Sequence, residues 1–97
     1  MPLVVVKKFT RDITAWVAND IKFKVSRCKR LIVDGQFILA AGEIVVMVKD
    51  LDGNLIWCTR EMLRNLLTYD IGADFPVEVH LRIKPVYNHN VTVIVYG

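Results

Sequence analysis

Strict alternation of apolar and polar residues over 77–84 is the feature that most constrains how this chain can fold. The segment reads Val-Glu-Val-His-Leu-Arg-Ile-Lys, and a β-strand is the element that sends every second side chain to the same face. The apolar half of the segment would then face a core, and the polar half would face water. The alternation therefore predicts a β-strand that covers a hydrophobic core and keeps one solvated face.

Other parts of the chain carry similar strand signals, separated by residues that favour turns. Asp34-Gly35 and the segments 50–54 and 88–90 have the composition of turns between strands. Gly42 lies between two apolar runs, where it predicts a bulge or a bend. Further strands are predicted at 3–9, 21–26, 31–33, 37–41, 43–49, 55–58 and 91–96. Together these signals predict a series of antiparallel hairpins.

One segment has helical rather than alternating spacing. Thr59 is positioned to cap a helix at about 60–68, and Glu61 lies in its first turn, where a carboxylate favours the helix dipole. One side of this helix would carry the apolar residues Met62, Leu63, Leu66 and Leu67. The spacing therefore predicts one well-defined helix.

A second, shorter helix is predicted at about 11–19, with Thr10 as its cap. Ile13, Trp16 and Val17 follow the i, i+3, i+4 spacing of one helix face. The same residues also alternate acceptably as a strand, so the helix and the strand remain alternatives for this segment.

The predicted fold class is therefore α+β. We expect a single globular domain, residues 1–97, in which one helix packs on a largely antiparallel sheet of about five to seven short strands, or against a partly open barrel. A chain of this length can bury a core without disulfides or a structural metal. The apolar share of 54% exceeds the usual 45 to 50% or so, which leaves apolar area for a subunit interface.

Charge is divided unevenly along the chain. Residues 1–33 contain eight Lys or Arg and two Asp, a net charge of +6, whereas residues 34–80 contain three Lys or Arg and eight Asp or Glu, a net charge of −5. Such asymmetry is typical of proteins that meet an anionic partner. The candidate nucleic-acid-binding residues are Lys7, Lys8, Arg11, Lys22, Lys24, Arg27, Lys29 and Arg30. Trp16 would add stacking for unpaired bases.

An alternative explains the same cations without a ligand. Exposed lysines on strand faces keep sheet edges from pairing with other chains, and the acidic middle of the sequence would balance part of their charge within the fold. The sequence leaves both interpretations open.

Chemistry-bearing residues are few. No catalytic residue, cofactor site or metal site is predicted, because the sequence has no phosphate-binding glycine loop and its cysteines, Cys28 and Cys58, lack metal-ligand spacing. Both thiols are expected to be buried. A small enzyme that uses Cys58 or His80 is kept as a third functional alternative.

The leading hypothesis is a small, non-enzymatic interaction or regulatory module, such as a phage or other viral accessory protein, that acts as a homodimer. The terminal strand would supply the dimer contact by pairing its exposed edge with a copy of itself, through Val91, Val93, Val95 and Tyr96. The partner would be a protein or, in the alternative, a nucleic acid bound by the basic 22–30 segment. We expect a cytoplasmic, reducing compartment and no contact with a membrane, since no stretch approaches about 18 apolar residues.

Overall fold

The computed structural model describes residues 3–35 and 42–97, which form eight β-strands and no helix. The strands are β1 (Val5–Ile13), β2 (Asn19–Val25), β3 (Cys28–Asp34), β4 (Gly42–Asp50), β5 (Leu55–Met62), β6 (Leu66–Ala73), β7 (Val77–Pro85) and β8 (His89–Tyr96). The α+β prediction is therefore wrong: the described part of the chain is all β, with one strand more than the upper expected number. It includes no helix of the length and apolarity that a membrane crossing would need.

The strands form two antiparallel sheets of four strands each. The first sheet has the order β1-β8-β3-β6, and the second has the order β2-β7-β4-β5. Strands pair from the two ends of the chain inward, β1 with β8, β2 with β7, β3 with β6 and β4 with β5. The chain is thus one long hairpin, with its tip at the β4–β5 turn, wound into a double-sheet jelly roll.

This winding corrects the predicted series of hairpins. Only β4 and β5 are consecutive strands that pair with each other, and every other connection between described strands passes from one sheet to the other. The turn expected at 50–54 is confirmed, because Asp50 and Asn54 close it with a backbone hydrogen bond of 2.9 Å. The apolar run predicted at 37–41 lies outside the described residues.

The core lies between the two sheets and is lined by alternate residues of the strands. The strand prediction at 77–84 is confirmed, because β7 buries its apolar residues completely; these are Val77, Val79, Leu81 and Ile83. The prediction at 21–26 is also confirmed: Ile21 and Val25 are buried in β2, whereas Lys22 and Lys24 face solvent. Local alternation was a sufficient signal for both strands because each has one buried and one exposed face.

The predicted helix at 60–68 is wrong. Residues 60–62 complete β5, three residues form a tight connection, and β6 begins at Leu66. Met62 and Leu66 are exposed while Leu63 and Leu67 are buried, which is the pattern of two strands around a turn rather than of one helix face. A nine-residue helix is marginal in water. Pairing with β4 and β3 therefore overrides the helical spacing of these residues.

The shorter helix predicted at 11–19 is also wrong. Strand β1 continues to Ile13, a turn occupies 14–18, and β2 begins at Asn19. The Asn19 side chain holds this turn, because it bonds both the N–H and the carbonyl of Thr14 at 2.9 Å. Side-chain bonds of this kind offer the backbone a turn in place of a helix.

Gly42 opens β4 where a bulge or a bend was expected. Its φ is +113°, and a Cβ at this position would collide with the carbonyl oxygen of Lys84 and approach the Cα atom of Pro85 to 2.9 Å. Only glycine combines that backbone conformation with so close an approach of a neighbouring strand.

Candidate nucleic-acid interface

The edge strands β1 and β2 lie side by side along one side of the sandwich, one from each sheet. We call this side the β1/β2 rim. Phe9 of β1 and Phe23 of β2 close the space between the sheets here, with ring centroids 5.0 Å apart and ring planes at 79°. Both rings also pack against the hydrophobic core. The two rings therefore fill the gap between the sheets, and the rim is not an open cleft.

Two cations flank Phe9 along β1. Arg11 places its guanidinium carbon 4.9 Å from the ring centroid, and Lys7 places its ammonium nitrogen 5.9 Å from it. Residues two apart on a strand share a face, so both side chains lie on the same side of β1 as Phe9. The face of the Phe9 ring attracts both cations and holds them beside the closed gap between the sheets.

Three more lysines lie on the flanks of the rim. Lys22 and Lys24 are exposed on the outer face of the second sheet, opposite His80 and Glu78 of β7. Lys8 is exposed on the outer face of the first sheet, because it pairs with Ile94 of β8, whose neighbours Val93 and Val95 face the core. The rim therefore carries positive charge on its crest and on both of its sides.

The remaining basic candidates are placed differently. Arg27 lies in the β2–β3 turn, next to Val6 of β1, since a Cβ at Gly97 would touch both side chains. Lys29 is exposed in β3 but away from the rim. Arg30 lies two strands from β1 and is bound to Asp70 by a 2.8 Å ion pair. The rim cations are thus Lys7, Lys8, Arg11, Lys22, Lys24 and Arg27.

Acidic side chains of the described residues lie near this set without forming close ion pairs: Glu78 of β7, for example, is directly opposite Lys24. Within 3–35 and 42–97, no carboxylate lies within 4.0 Å of any rim cation. Asp20 of β2 is engaged elsewhere: it accepts a 2.7 Å hydrogen bond from His80 and a 3.0 Å bond from Arg82. The bond with His80, and then that with Arg82, hold the pKa of Asp20 below its usual value. Its negative charge is therefore stabilised on the sheet face, beside the rim.

Trp16 stands at one end of the rim, in the turn that joins β1 to β2. Its side chain is 68% exposed and its φ is +66°, a left-handed conformation that is rare for a tryptophan. Trp16 N–H donates a 2.8 Å bond to the Pro85 carbonyl, and the neighbouring Ala15 N–H donates a 2.8 Å bond to the side chain of Asn88. The surrounding turn thus holds a strained backbone that displays a large aromatic side chain to solvent.

An open depression lies beside this turn. It has a volume of about 500 Å³ and is lined by Asp12, Ile13, Thr14, Asn88, His89 and Asn90. Amide and carboxylate groups of this kind can hydrogen-bond the edge of a nucleotide base. No local sequence signal predicts this depression, because the turns that form it are far apart in the chain.

The dimer contact predicted in the terminal strand needs correction. β8 is paired with β1 on one side and with β3 on the other, so it has no free edge. Val91, Val93 and Val95 are completely buried, and Tyr96 lies half-buried on the outer face of the first sheet. The apolar character of this strand reflects its central place in the sheet rather than an exposed edge.

Cys58 and His80, named for the enzymatic alternative, are not brought together. They lie on one face of the second sheet with Met47 between them, so two strand spacings, about 10 Å, separate their backbones. A catalytic pair needs hydrogen-bond contact. Cys58 is exposed, contrary to expectation, whereas Cys28 is buried as expected. Burial raises the pKa of the Cys28 thiol to about 11, which keeps it protonated at neutral pH.

No protein-family model matches this chain, and no curated protein matches it in sequence. The jelly roll itself does not decide the function, because unrelated functions share this fold. The function is therefore inferred from the geometry and the charge of the rim.

Proposed function

We propose that the protein is a small, non-enzymatic binding module for single-stranded nucleic acid, which it contacts along the β1/β2 rim. The observation that carries this proposal is the set of six rim cations without a carboxylate within 4.0 Å among the described residues. Clustered like charges repel one another, and a polyanion relieves that repulsion as it releases its counterions.

The dimensions of the rim suit a phosphate backbone. β1 has nine residues, which extend over about 26 Å at 3.3 Å per residue. The axial rise of B-form DNA is about 3.4 Å per phosphate of one strand, which sets an upper limit of about seven phosphates for this length, and an extended single strand presents fewer. Cations on the crest and on both flanks can then meet successive phosphates from several directions.

The aromatic residue at the end of the rim favours a single strand over a duplex. Trp16 is exposed and cannot stack on a base that is already stacked within a helix. An unpaired base offers its full face, and such stacking contributes about 1 to 3 kcal/mol per base. The depression beside Trp16 adds polar groups for the base edge.

The compartment is part of the same proposal. Cys58 is an exposed free thiol, and Cys28 is free as well. Exposed thiols persist where glutathione and thioredoxin keep them reduced. We therefore assign the protein to a reducing, intracellular compartment.

The proposal is tested by two variants that change the net charge equally, from +3 to −1. The rim variant replaces Lys7, Lys8, Lys22 and Lys24 by Gln. The control variant replaces Arg30, Arg60, Arg64 and Lys84 by Gln, all of which lie off the rim. Binding of labelled single-stranded DNA, single-stranded RNA and duplex DNA is measured by fluorescence anisotropy over a series of salt concentrations.

We expect the rim variant to lose affinity and to flatten the plot of log affinity against log salt by about 3, since each single-strand phosphate contact contributes about 0.7. The control variant should keep most of the slope, because its cations do not face the ligand. Equal losses in the two variants would mean that only net charge matters, and preference for duplex DNA would contradict the role given to Trp16.

A further inference from the structure

The opposite side of the sandwich ends in an edge strand with a different surface. Among residues 3–35 and 42–97, β5 is paired with β4 on one side only, and its other side has no strand partner for its backbone N–H and C=O groups. Three of its side chains are exposed apolar residues: Leu55 at 54%, Ile56 at 39% and Met62 at 63%. A long edge with this composition is a template for another strand.

The edge is regular over most of its length. The register between β4 and β5 shifts once, next to Ile56, and then runs without interruption from Trp57 to Met62. Bulges and inward-pointing charges are devices that block edge pairing. Beyond Ile56, this strand has no bulge to bend it away from a partner, and its one charge on the inner side is Glu61, which is half-buried on the same side as Trp57.

The charges of β5 exclude some of the registers in which it could pair with a copy of itself. The strand contains one cation, Arg60, and one anion, Glu61, so its net charge is zero. In antiparallel pairing about a two-fold axis, a centre at Arg60 or at Glu61 would oppose like charges, which is destabilising. A centre at Cys58 or at Thr59 avoids that repulsion, and the Thr59 centre places Trp57 opposite Glu61 of the second copy.

The same centre also matches the exposed apolar residues. With Thr59 on the axis, Ile56 of one copy lies opposite Met62 of the other, and both pairs of this kind lie at the ends of the shared ladder. Cys58 then lies opposite Arg60 of the second copy. Every residue from Ile56 to Met62 therefore has a partner, and none faces a like charge.

We propose that β5 pairs antiparallel with β5 of a second copy about a two-fold axis at Thr59, joining the second sheets of two protomers into one continuous eight-stranded sheet. The closed two-fold contact uses the same edge on both copies, so it ends at a dimer. A seven-residue edge is smaller than the interface of about 800 Å² per partner that stable complexes bury. The dimer therefore forms reversibly, in the micromolar range or weaker.

Sedimentation velocity across micromolar to millimolar concentrations tests the proposal. The edge variant combines Ile56→Lys with Met62→Lys, and both side chains are exposed, so the core is unchanged. The control variant combines Val5→Lys with Leu66→Lys, two residues of 54% and 57% exposure on other strands, and makes the same change in charge. We expect the edge variant to raise the dissociation constant at least about tenfold, because each end pair then opposes a lysine to a lysine.

Cross-linking in the unmodified protein tests the register. Cys58 is the accessible thiol, since Cys28 is completely buried. With the axis at Thr59, the two Cys58 residues are diagonal neighbours about 7 to 8 Å apart, within reach of a short bismaleimide. We expect a cross-linked dimer in the native protein and in the control variant, with several-fold less in the edge variant.

Three outcomes would overturn the proposal. One is a native protein that stays monomeric, at 11.1 kDa, over the whole concentration range. Another is a dimer that the control variant loses and the edge variant keeps, because the contact would then lie elsewhere. The third is a dimer that Cys58 does not cross-link, since this would exclude the Thr59 register.

Discussion

The two sides of the sandwich are both closed by an aromatic pair, but their edge strands carry different surface residues. At the β1/β2 rim, Phe9 and Phe23 meet at 5.0 Å; at the β5/β6 rim, Trp57 and Tyr69 meet at 5.3 Å with ring planes at 60°. Each pair joins one sheet to the other and seals one side of the core. Edge-to-face and tilted rings of this kind add to the stability that their burial contributes.

The edges outside these aromatic pairs have opposite character. β2 carries Lys22 and Lys24 and has no large exposed apolar side chain, and β1 shifts register between Val5 and Lys7. β5 exposes Ile56 and Met62 instead. Lysines and bulges on one side prevent strand pairing, whereas the other side lacks both along most of β5.

Different edge strands of one fold can therefore serve different binding functions. A sandwich of two four-stranded sheets has four edge strands, and each must be blocked or used. The cations that block the β1/β2 rim are the groups that would bind a polyanion. The apolar side chains of β5 are those that would bind a second copy, which leaves the basic rim free in the dimer.

The largest expected effect separates the two aromatic pairs. Tyr69 is buried and Phe23 only half-buried, so Tyr69→Ala should lower the free energy of unfolding by about 3 to 5 kcal/mol and Phe23→Ala by about 2 kcal/mol. Urea unfolding followed by circular dichroism measures both losses. Equal losses would show that the two aromatic pairs contribute equally to the free energy of unfolding, contrary to this prediction.

Tyr69→Phe is the control for this prediction. The Tyr69 hydroxyl is buried near the Glu61 carboxylate, and it makes no hydrogen bond of 3.5 Å or less with the described residues. Burial is the main cause that raises the pKa of Tyr69 far above its usual value, and the Glu61 charge adds to it. Removing an unpaired hydroxyl should leave the free energy of unfolding unchanged or raise it by about 1 kcal/mol. A large loss would mean that the hydroxyl, and not the ring, stabilises this side.

The second prediction concerns the β2 edge, whose lysines are expected to prevent pairing with another strand. Replacing both Lys22 and Lys24 by Val should give each protomer two pairing edges, and the protein should then form open-ended oligomers rather than dimers. The control replaces Lys49 and Lys84 by Val on the central strands β4 and β7, which have no free edge. Light scattering at increasing concentration distinguishes the two. Equal aggregation of both variants would attribute the effect to charge loss alone.

The third prediction concerns the strained turn at the end of the basic rim. Trp16→Gly should be more stable than Trp16→Ala by about 1 kcal/mol, because glycine adopts a positive φ without the cost that a Cβ imposes. Both variants should bind single-stranded nucleic acid more weakly, by about 1 to 3 kcal/mol for one lost stacking contact. Unfolding and anisotropy measurements test each part. Unchanged binding in both variants would remove Trp16 from the interface.

The sequence predicted those parts of the fold that depend on local pattern. The strand at 77–84 and its neighbour at 21–26 each have one wet face, so their alternation is visible in a few residues. The segment 60–68 has helical spacing, yet β5 and β6 obtain their backbone hydrogen bonds from β4 and β3. Pairing with distant strands therefore determines that this segment forms strands, and no local feature of the sequence indicates that pairing.

The candidate site was predicted in part for the same reason. A basic run in the first third of the sequence is a local feature, and six of its eight cations lie on the rim. Arg30 could not be separated from them, because its partner Asp70 is forty residues away. The edge strands were also beyond reach: β8 became central through pairing with β1, from the other end of the chain.

The smallest expected effect is a pH dependence beside the basic rim. Because the pKa of Asp20 is lowered in the folded protein, its contribution to stability is present above the unfolded value near 3.8 and is lost as the pH falls through the folded pKa. Asp20→Asn should therefore be slightly less stable than the native protein at neutral pH, and the difference should vanish in acid. Asp20 is exposed, so solvent screening keeps this effect small.

The same substitution is also expected to change the affinity of the β1/β2 rim for nucleic acid. Asp20→Asn removes a carboxylate that now bonds Arg82 at 3.0 Å, so a further cation beside β2 becomes available to phosphate. We expect tighter binding and a steeper salt dependence, by up to about 0.7 in slope. Asp70→Asn is the matched control, because it changes the net charge equally and releases Arg30, whose 2.8 Å ion pair with Asp70 lies away from the rim. It should leave binding unchanged; a change in binding for both variants would mean that the ligand responds to net charge and not to the rim.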